Sequence, residues 1–350
     1  MPQDQGDSSR ATRLARHAVR TGVAFLTVLI VGWGTLALWF QAAPPWRIPA
    51  LLVWCGLGIA ATVAPWQRAR LKIYVVMACA IVLLLLWWQS VTPSHERLWA
   101  DDVSRLLEVE VDGDRLTLHN VRNFDWRSET DYTARWDTRE YNLSQLESAD
   151  LFLSYWMGPA IAHTLISFGF SDGQQLVFSL EIRKERHEAF SAIAGFFRQY
   201  EMVLIAADEN DIVRVRTNAR GEDVFLYRLA LGPTELRSAL LGYLRTANDI
   251  RQGPRFYNTL TSNCTTIVFD LARQFAPGLP IDYRLLLSGY FAEYAYDQQG
   301  LTSGENFSTL VARGNITTRA RQFDGTPEQF SRAIRKNVPG IPLPSSNFAP

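Results

Sequence analysis

The sequence predicts an α+β protein: three N-terminal transmembrane helices, then one extracytoplasmic domain with an antiparallel sheet and a helix that begins on a cysteine. Three observations carry this. The long apolar runs of the 350-residue chain fall within its first ninety residues. Beyond them, apolar residues alternate over several short runs, the period of a half-buried strand. Finally, Thr261, Ser262 and Asn263 stand immediately before Cys264, and residues of those types cap helix N-termini.

Residues 1–17 are polar, with Arg10, Arg13 and Arg16 close together, and read as a cytoplasmic tail. Residues 22–40 form an uninterrupted apolar run long enough to cross a bilayer. It exceeds the apolar part of a signal peptide, and no small-residue cleavage site follows it. Runs at 48–66 and 73–88 supply two more spans, so residues 18–90 read as three transmembrane helices. Trp39, Trp46, Trp66, Trp87 and Trp88 sit near run ends, where tryptophan favours the membrane–water interface. Arg10, Arg13, Arg16 and Arg20 share one side with Arg68, Arg70 and Lys72, while the other loop has only Arg47. The positive-inside bias puts the N-terminus in the cytoplasm and the domain at 95–337 outside.

Within that domain, residues 106–121 alternate about an Asp112-Gly113 turn and predict a hairpin. Residues 122–142 mix arginine, acid and aromatic side chains. They read as a solvated loop by default, or more sharply as an aromatic-lined entry to a site that bears Arg122 and its neighbours. Strands are expected at 150–156, 161–168 and 176–183. On the last, Val177, Ser179, Glu181 and Arg183 share one face and Phe178, Leu180 and Ile182 the other, a strand whose polar end reaches a site. Phe190, Ile193 and Phe197 predict an amphipathic helix over 188–200. Strands are expected again at 212–216 and 224–229. Pro233 opens a helix to about residue 248, with Leu236, Leu240 and Leu244 on one stripe. A helix follows Cys264, another falls within 282–297, and the proline-rich stretch 338–350 reads as an extended tail.

The formal net charge is zero and no basic stripe is visible, which argues against a nucleic-acid partner. No phosphate-binding glycine loop, no Gly-x-Ser-x-Gly elbow and no ligand spacing for a metal is present, so neither cofactor nor metal is expected. Cys55 and Cys79 lie in apolar runs, which leaves Cys264 alone in its domain. A thiol on the first turn of a helix faces the positive end of the helix dipole, which favours thiolate. Free cysteines are also common as small buried fillers, and a nearby base decides between the two. His95 adjoins the membrane, His119 lies in the hairpin and His187 lies among charges. His163, set among apolar and hydroxyl residues, is the best base. Glu181, or less readily Ser179, stands on the next strand to orient its second nitrogen. The backbone N–H groups of Cys264 and the residues after it are candidates to hold an oxyanion.

A histidine strand, a polar residue on the next strand and Asn263-Cys264 opening a helix resemble the circularly permuted papain-like hydrolases of the NlpC/P60 superfamily. The lecithin:retinol acyltransferase group within it shares the Asn-Cys pattern. More closely, Ile161-Ala-His-Thr-Leu-Ile-Ser-Phe-Gly-Phe170, Ser179-Leu-Glu-Ile-Arg-Lys-Glu185 and Tyr257-Asn-Thr-Leu-Thr-Ser-Asn-Cys-Thr-Thr266 resemble the DUF4105 family, the periplasmic domain of Lnb-type lipoprotein N-acyltransferases. The resemblance covers roughly residues 115–300. It implies a permuted papain-like domain at the outer face of the bacterial inner membrane. It also implies a thiol acyltransferase with Cys264, His163 and Glu181 catalytic and Asn263, Ser179, Arg122, Arg183 and Tyr257 in support. Membrane phospholipid would be the acyl donor and a lipoprotein amine the acceptor. In that family the domain precedes its membrane segments, whereas here three spans come first. The same residues also suit a cell-wall peptidase or amidase, and a catalytically silent, membrane-anchored binding domain is the third reading. An acyl thioester on Cys264 separates the first from both.

Overall fold

The structure is a computed structural model that describes residues 4–302 and 304–342. Two units divide the chain: residues 1–93 with 191–199, and residues 94–190 with 200–350.

In the first unit the apolar runs form α1 (Asp4–Gln41), α2 (Pro44–Val63) and α3 (Arg70–Ser90). The stretch read as a polar tail is therefore helical from Asp4. Thr12–Gln41, Pro44–Trp66 and Arg70–Ser90 are each long and apolar enough to cross a membrane. Pro44 and Pro45 stand at the start of α2, where a missing backbone N–H costs no helical bond. Leu52, Ile59 and Leu83 are exposed, while Trp54, Ala61, Met77 and Leu84 pack between the helices. The indole of Trp54 occupies the place where a Cβ on Gly34 would stand, and its Nε1 donates to Val31 O at 2.9 Å. The helix expected over 188–200 is absent. Only a 3₁₀ turn at Ala194–Phe197 forms, closed by Arg198 with φ 56°. Phe190 and Ile193 are exposed, and Phe197 alone is buried, stacked on Phe40 at 5.7 Å and set against Trp88. The helical spacing thus had no second layer to answer it.

The second unit is built on a mixed sheet. β1 (Glu108–Asp112) and β2 (Arg115–Arg122) form the expected hairpin. The supposed loop at 122–142 holds a small ribbon of β3 (Asp125–Trp126) and β4 (Tyr132–Thr133), then β5 (Trp136–Asn142), which pairs with β2. Charged residues on the outer face of β5 hid its alternation, since Tyr141 is its one fully buried side chain. β6 (Leu146–Tyr155), β7 (Ala162–Phe170) and β8 (Gln175–Arg183) form an antiparallel meander. β9 (Glu201–Ala207) follows and is buried on both faces, so it shows no alternation in sequence. The strand expected at 212–216 is instead α4 (Glu209–Arg214), continued by a π-helical turn at Val215–Ala219. Asp208 caps it by accepting from Asn210 N–H, and Ile212 and Val213 are both buried, which a one-sided strand does not allow.

β10 (Asp223–Arg228) pairs with β6 and completes the order β1-β2-β9-β8-β7-β6-β10. All pairings are antiparallel except β2 with β9, which meet in parallel at Arg122 and Ala207. The helices that follow are α5 (Pro233–Gln252), α6 (Cys264–Phe275), α7 (Phe291–Asp297), α8 (Phe307–Gly314), α9 (Thr317–Arg321) and α10 (Pro327–Arg335). The helix expected over 282–297 is two 3₁₀ turns followed by α7, and in the second turn Gly289 lies so close to the Pro159 carbonyl that no side chain fits there. Val338 is buried against the core, contrary to an extended tail from 338; residues 343–350 of that stretch lie outside the described residues. Phe168, Phe178, Tyr243 and Leu271 belong to the core on one face of the sheet, under α5 and α6. Phe152, Val203, Ile212 and Phe330 belong to the core on the other, under α4, α9 and α10.

Candidate active site

The β7–β8 ladder runs from Gly169↔Gln175 to Ile166↔Phe178 and ends there, while β8 continues to Arg183 paired with β9. Had the ladder run three residues further, His163 would face Glu181. The two strands part instead, and the first turn of α6 meets the opening. The Thr164 N–H, beyond the last β7–β8 pair, donates to Cys264 Sγ at 3.5 Å, and Thr164 Oγ1 lies 2.9 Å from Thr265 Oγ1.

A capping box fixes that first turn. Asn263 Oδ1 accepts from Thr265 N–H at 2.9 Å and Thr266 N–H at 3.0 Å, and Asn263 N–H donates to Thr266 Oγ1 at 2.8 Å. The helix neighbours offered as oxyanion donors are thus consumed by the cap, and the Cys264 N–H is the donor left on this turn.

His163 Nε2 stands 2.7 Å from Ser179 Oγ, which donates onward to Glu181 Oε1 at 2.8 Å. Nε2 is also 3.2 Å from Glu181 Oε1. Ser179 and Glu181 therefore act together on one nitrogen, and Nδ1 is left for the thiol. Glu181 Oε1 accepts in turn from Arg216 NH2 at 2.8 Å. Arg216 NH1 reaches Glu222 Oε2 at 3.4 Å, and Ser154 Oγ, opposite His163 in the β6–β7 register, donates to the same oxygen. Cys264, Ser154, Ser179 and Arg216 are buried, whereas the side chains of His163 and Glu181 keep 15% and 19% of their exposure, enough for a small group to approach the imidazole.

The charges are mutually supporting. Burial pushes the Cys264 thiol up, but the charge and hydrogen bond of His163 outweigh it and leave the thiol below its ordinary value. Burial and Arg216 push His163 down, and Glu181 and Cys264 more than reverse this, to about 9. Burial pushes Glu181 up, yet His163 and Arg216 hold it well below the usual carboxylate range. At neutral pH the arrangement favours thiolate, imidazolium and carboxylate together. Burial first, then the charges of Cys264 and Glu181, keep the nearby Tyr257 phenol protonated.

Cys264, His163, Ser179, Glu181, Asn263 and Tyr257 are thus brought together. Arg122 and Arg183, expected as substrate-binding or supporting residues, are placed as internal braces. Arg122 makes a buried bidentate pair with Asp211 at 2.9 and 3.0 Å and donates its third nitrogen to Asp102 O at 3.1 Å. Arg183 donates to Val103 O at 3.0 Å and Ser104 O at 2.7 Å and lies over the Trp99 ring at 4.4 Å. Sequence reasoning missed Arg216, Glu222 and Ser154. Arg216 lay in a misread strand, and only the β6–β7 register, which sets Ser154 opposite His163, pointed toward the others. Among the described residues no group of three or more His, Cys, Asp or Glu side chains is placed to hold a metal ion.

Residues 132–289 match the model of the Lnb N-terminal periplasmic domain, a span that contains every residue of the hydrogen-bonded line from Cys264 to Glu222. No curated protein and no solved structure matches the chain. The papain-like architecture therefore rests on the resemblance of motifs alone.

Proposed function

We propose, from a chain that carries an Lnb N-terminal periplasmic domain behind three membrane-length helices, that the protein is a membrane-anchored thiol acyltransferase. The observation that carries this reading is the buried Cys264–His163–Ser179–Glu181 line at the N-terminus of α6, in which the thiol is lowered and the imidazole raised. Cys264 Sγ attacks the ester carbonyl of a phospholipid, and the Cys264 N–H faces the oxyanion that forms. Tyr257, neutral and close by, is a second donor for it. As the C–O bond breaks, the His163 imidazolium gives its proton to the departing alkoxide, and a lysophospholipid leaves. The acceptor amine, by resemblance a lipoprotein N-terminus, then attacks the thioester carbonyl. His163 takes the amine proton, the C–S bond breaks, and thiolate and imidazolium are restored. Glu181, backed by Arg216, stabilises the imidazolium through both half-reactions.

The arginine bias further supports a cytoplasmic N-terminus and a periplasmic domain at the inner membrane, where both substrates are held in the bilayer surface. The test is the mass of the Cys264 peptide from the full chain in phospholipid membranes. A hydroxylamine-labile acyl adduct on that peptide is expected. Its absence in membranes where the acceptor is nevertheless acylated overturns the mechanism, and release of peptides from purified cell wall favours an amidase.

A further inference from the structure

On the α6 side of the sheet, an apolar cavity of about 510 Å³ lies between α5, α6, α7 and the strands β6 and β7. Protein cores pack with few voids larger than a water molecule, so a space of this size is not a packing defect. Its wall includes Leu151, Phe168, Ala239, Tyr243, Val268 and Ala272. Its charged and amide side chains are Glu235, Gln298 and Gln299, beside the segment after β10. The other end approaches the thiol. Val268 stands one turn along α6 from Cys264 and on the same face. Tyr243 lies close enough that the Cys264 charge, after burial, helps to hold its phenol protonated. Val268 and Phe275, which border the cavity, are only half-buried.

We infer that this cavity receives the fatty acyl chain carried on Cys264, with the thioester at the Val268–Tyr243 end and the chain terminus toward Gln298; the inference rests on the thiol acyltransferase reading. The size sets an upper limit. An apolar cavity of about 150 Å³ holds one six-carbon ring, so this one has room for roughly eighteen carbons. A lining dominated by apolar side chains suits a hydrocarbon chain better than a peptide or a sugar. Ala239 and Ala272 leave the space open, and a phenylalanine at either position fills about one ring's worth of it.

The test uses the full chain in nanodiscs, with two readouts. In the first, wild type, Ala272→Phe and Ala239→Phe are given phosphatidylethanolamines with acyl chains of graded length, and the adduct on Cys264 is weighed. Wild type is expected to accept chains up to roughly eighteen carbons, and each variant a limit lower by roughly six. In the second, Cys264→Ala is irradiated with palmitic acid bearing a terminal diazirine, a readout that needs no chemistry at the thiol. Cross-links are expected on peptides of α5, α6 and α7, and Ala272→Phe added to Cys264→Ala is expected to suppress them. Adducts of unchanged length in both variants, or cross-links confined to α1–α3, overturn the cavity assignment while leaving the transferase reading standing. Cross-links in the cavity with no adduct from any lipid support a fatty-chain site and overturn the transferase reading instead.

Discussion

Replacing Glu181 by glutamine removes one charge and little volume, and the structure sets the size of the effect. His163 stands at about 9 against an ordinary 6.5. That difference favours the imidazolium by roughly 3 kcal/mol, at about 1.4 kcal/mol for each tenfold. Two anions supply it against burial and Arg216, with Glu181 ahead of Cys264. Losing the Glu181 charge lowers His163, and it leaves Arg216 beside the imidazole without the carboxylate between them. If His163 returns to its ordinary 6.5, the imidazolium at pH 7, and the thiolate pair that depends on it, should fall roughly fourfold. The assay is the rate of Cys264 alkylation by iodoacetamide between pH 5 and 10, read beside acyl transfer in membranes. In wild type the rate should hold its plateau to well below the free-thiol value near ~8.5. Acyl transfer should decline on the alkaline side as His163 loses its proton near 9. In Glu181→Gln the alkaline decline of transfer should begin at lower pH, and transfer at neutral pH should fall. An unchanged alkaline limb with crippled transfer refutes the argument that Glu181 acts through the charge of His163.

The remaining expectations concern neighbouring groups. Cys264→Ala should abolish transfer and His163→Ala should lower it by about 10²–10⁴-fold, with protein levels checked by blot; full activity in His163→Ala ends the catalytic reading. Ser179→Ala should cost less than Glu181→Gln, because Nε2 keeps its 3.2 Å contact with Glu181, and the reverse order in membrane assays assigns the orienting role to Ser179. Arg335 holds Asp150 at 2.9 Å and both oxygens of Glu209 at 2.6 Å in the core, so Arg335→Leu should destabilise the protein by about 3–5 kcal/mol in thermal or urea unfolding. Against burial, Arg335 holds Glu209 below its ordinary 4.5. That contribution is present above pH 4.5 and is lost as the pH falls through the folded value. Arg335→Leu leaves burial to raise Glu209, so acidification should narrow the gap between variant and wild type, and a constant gap counts against the pairing. A reporter fused after residue 100 should be active only in its exported form; activity of a cytoplasm-only reporter there reverses the proposed topology.

What could be read from the chain followed its local physics. The three spans, the β1–β2 hairpin, the meander β6–β8 and the capped α6 each carry their own period or cap. The faces of β8 were legible for the same reason: alternation set Ser179 and Glu181 together. The errors fall where burial is decided by distant parts of the chain. β9 is covered on both faces and so reads as an undivided apolar run. α4 places Ile212 and Val213 together in the core, which looks like strand in isolation. The arginines show the same limit. Arg122 and Arg183 were expected in support of the site yet are internal braces, and Arg216 attracted no notice although it backs the carboxylate at the centre of the site.

The parting of β7 and β8 makes reactivity a matter of timing. His163, Ser179 and Glu181 belong to a sheet meander that closes over short connections, but the thiol they activate arrives 100 residues after Thr164. A chain with its sheet formed and α6 undocked has an ordinary cysteine. It also has a histidine that lacks one of its two anionic partners. Under the proposed function, chemistry at the thiol therefore requires the helix to seat in the gap between the strands. That step brings up the capped N-terminus, supplies the Thr164 N–H and completes the charge balance at once. Under the proposed function, an incompletely folded copy therefore has no activated thiol to acylate.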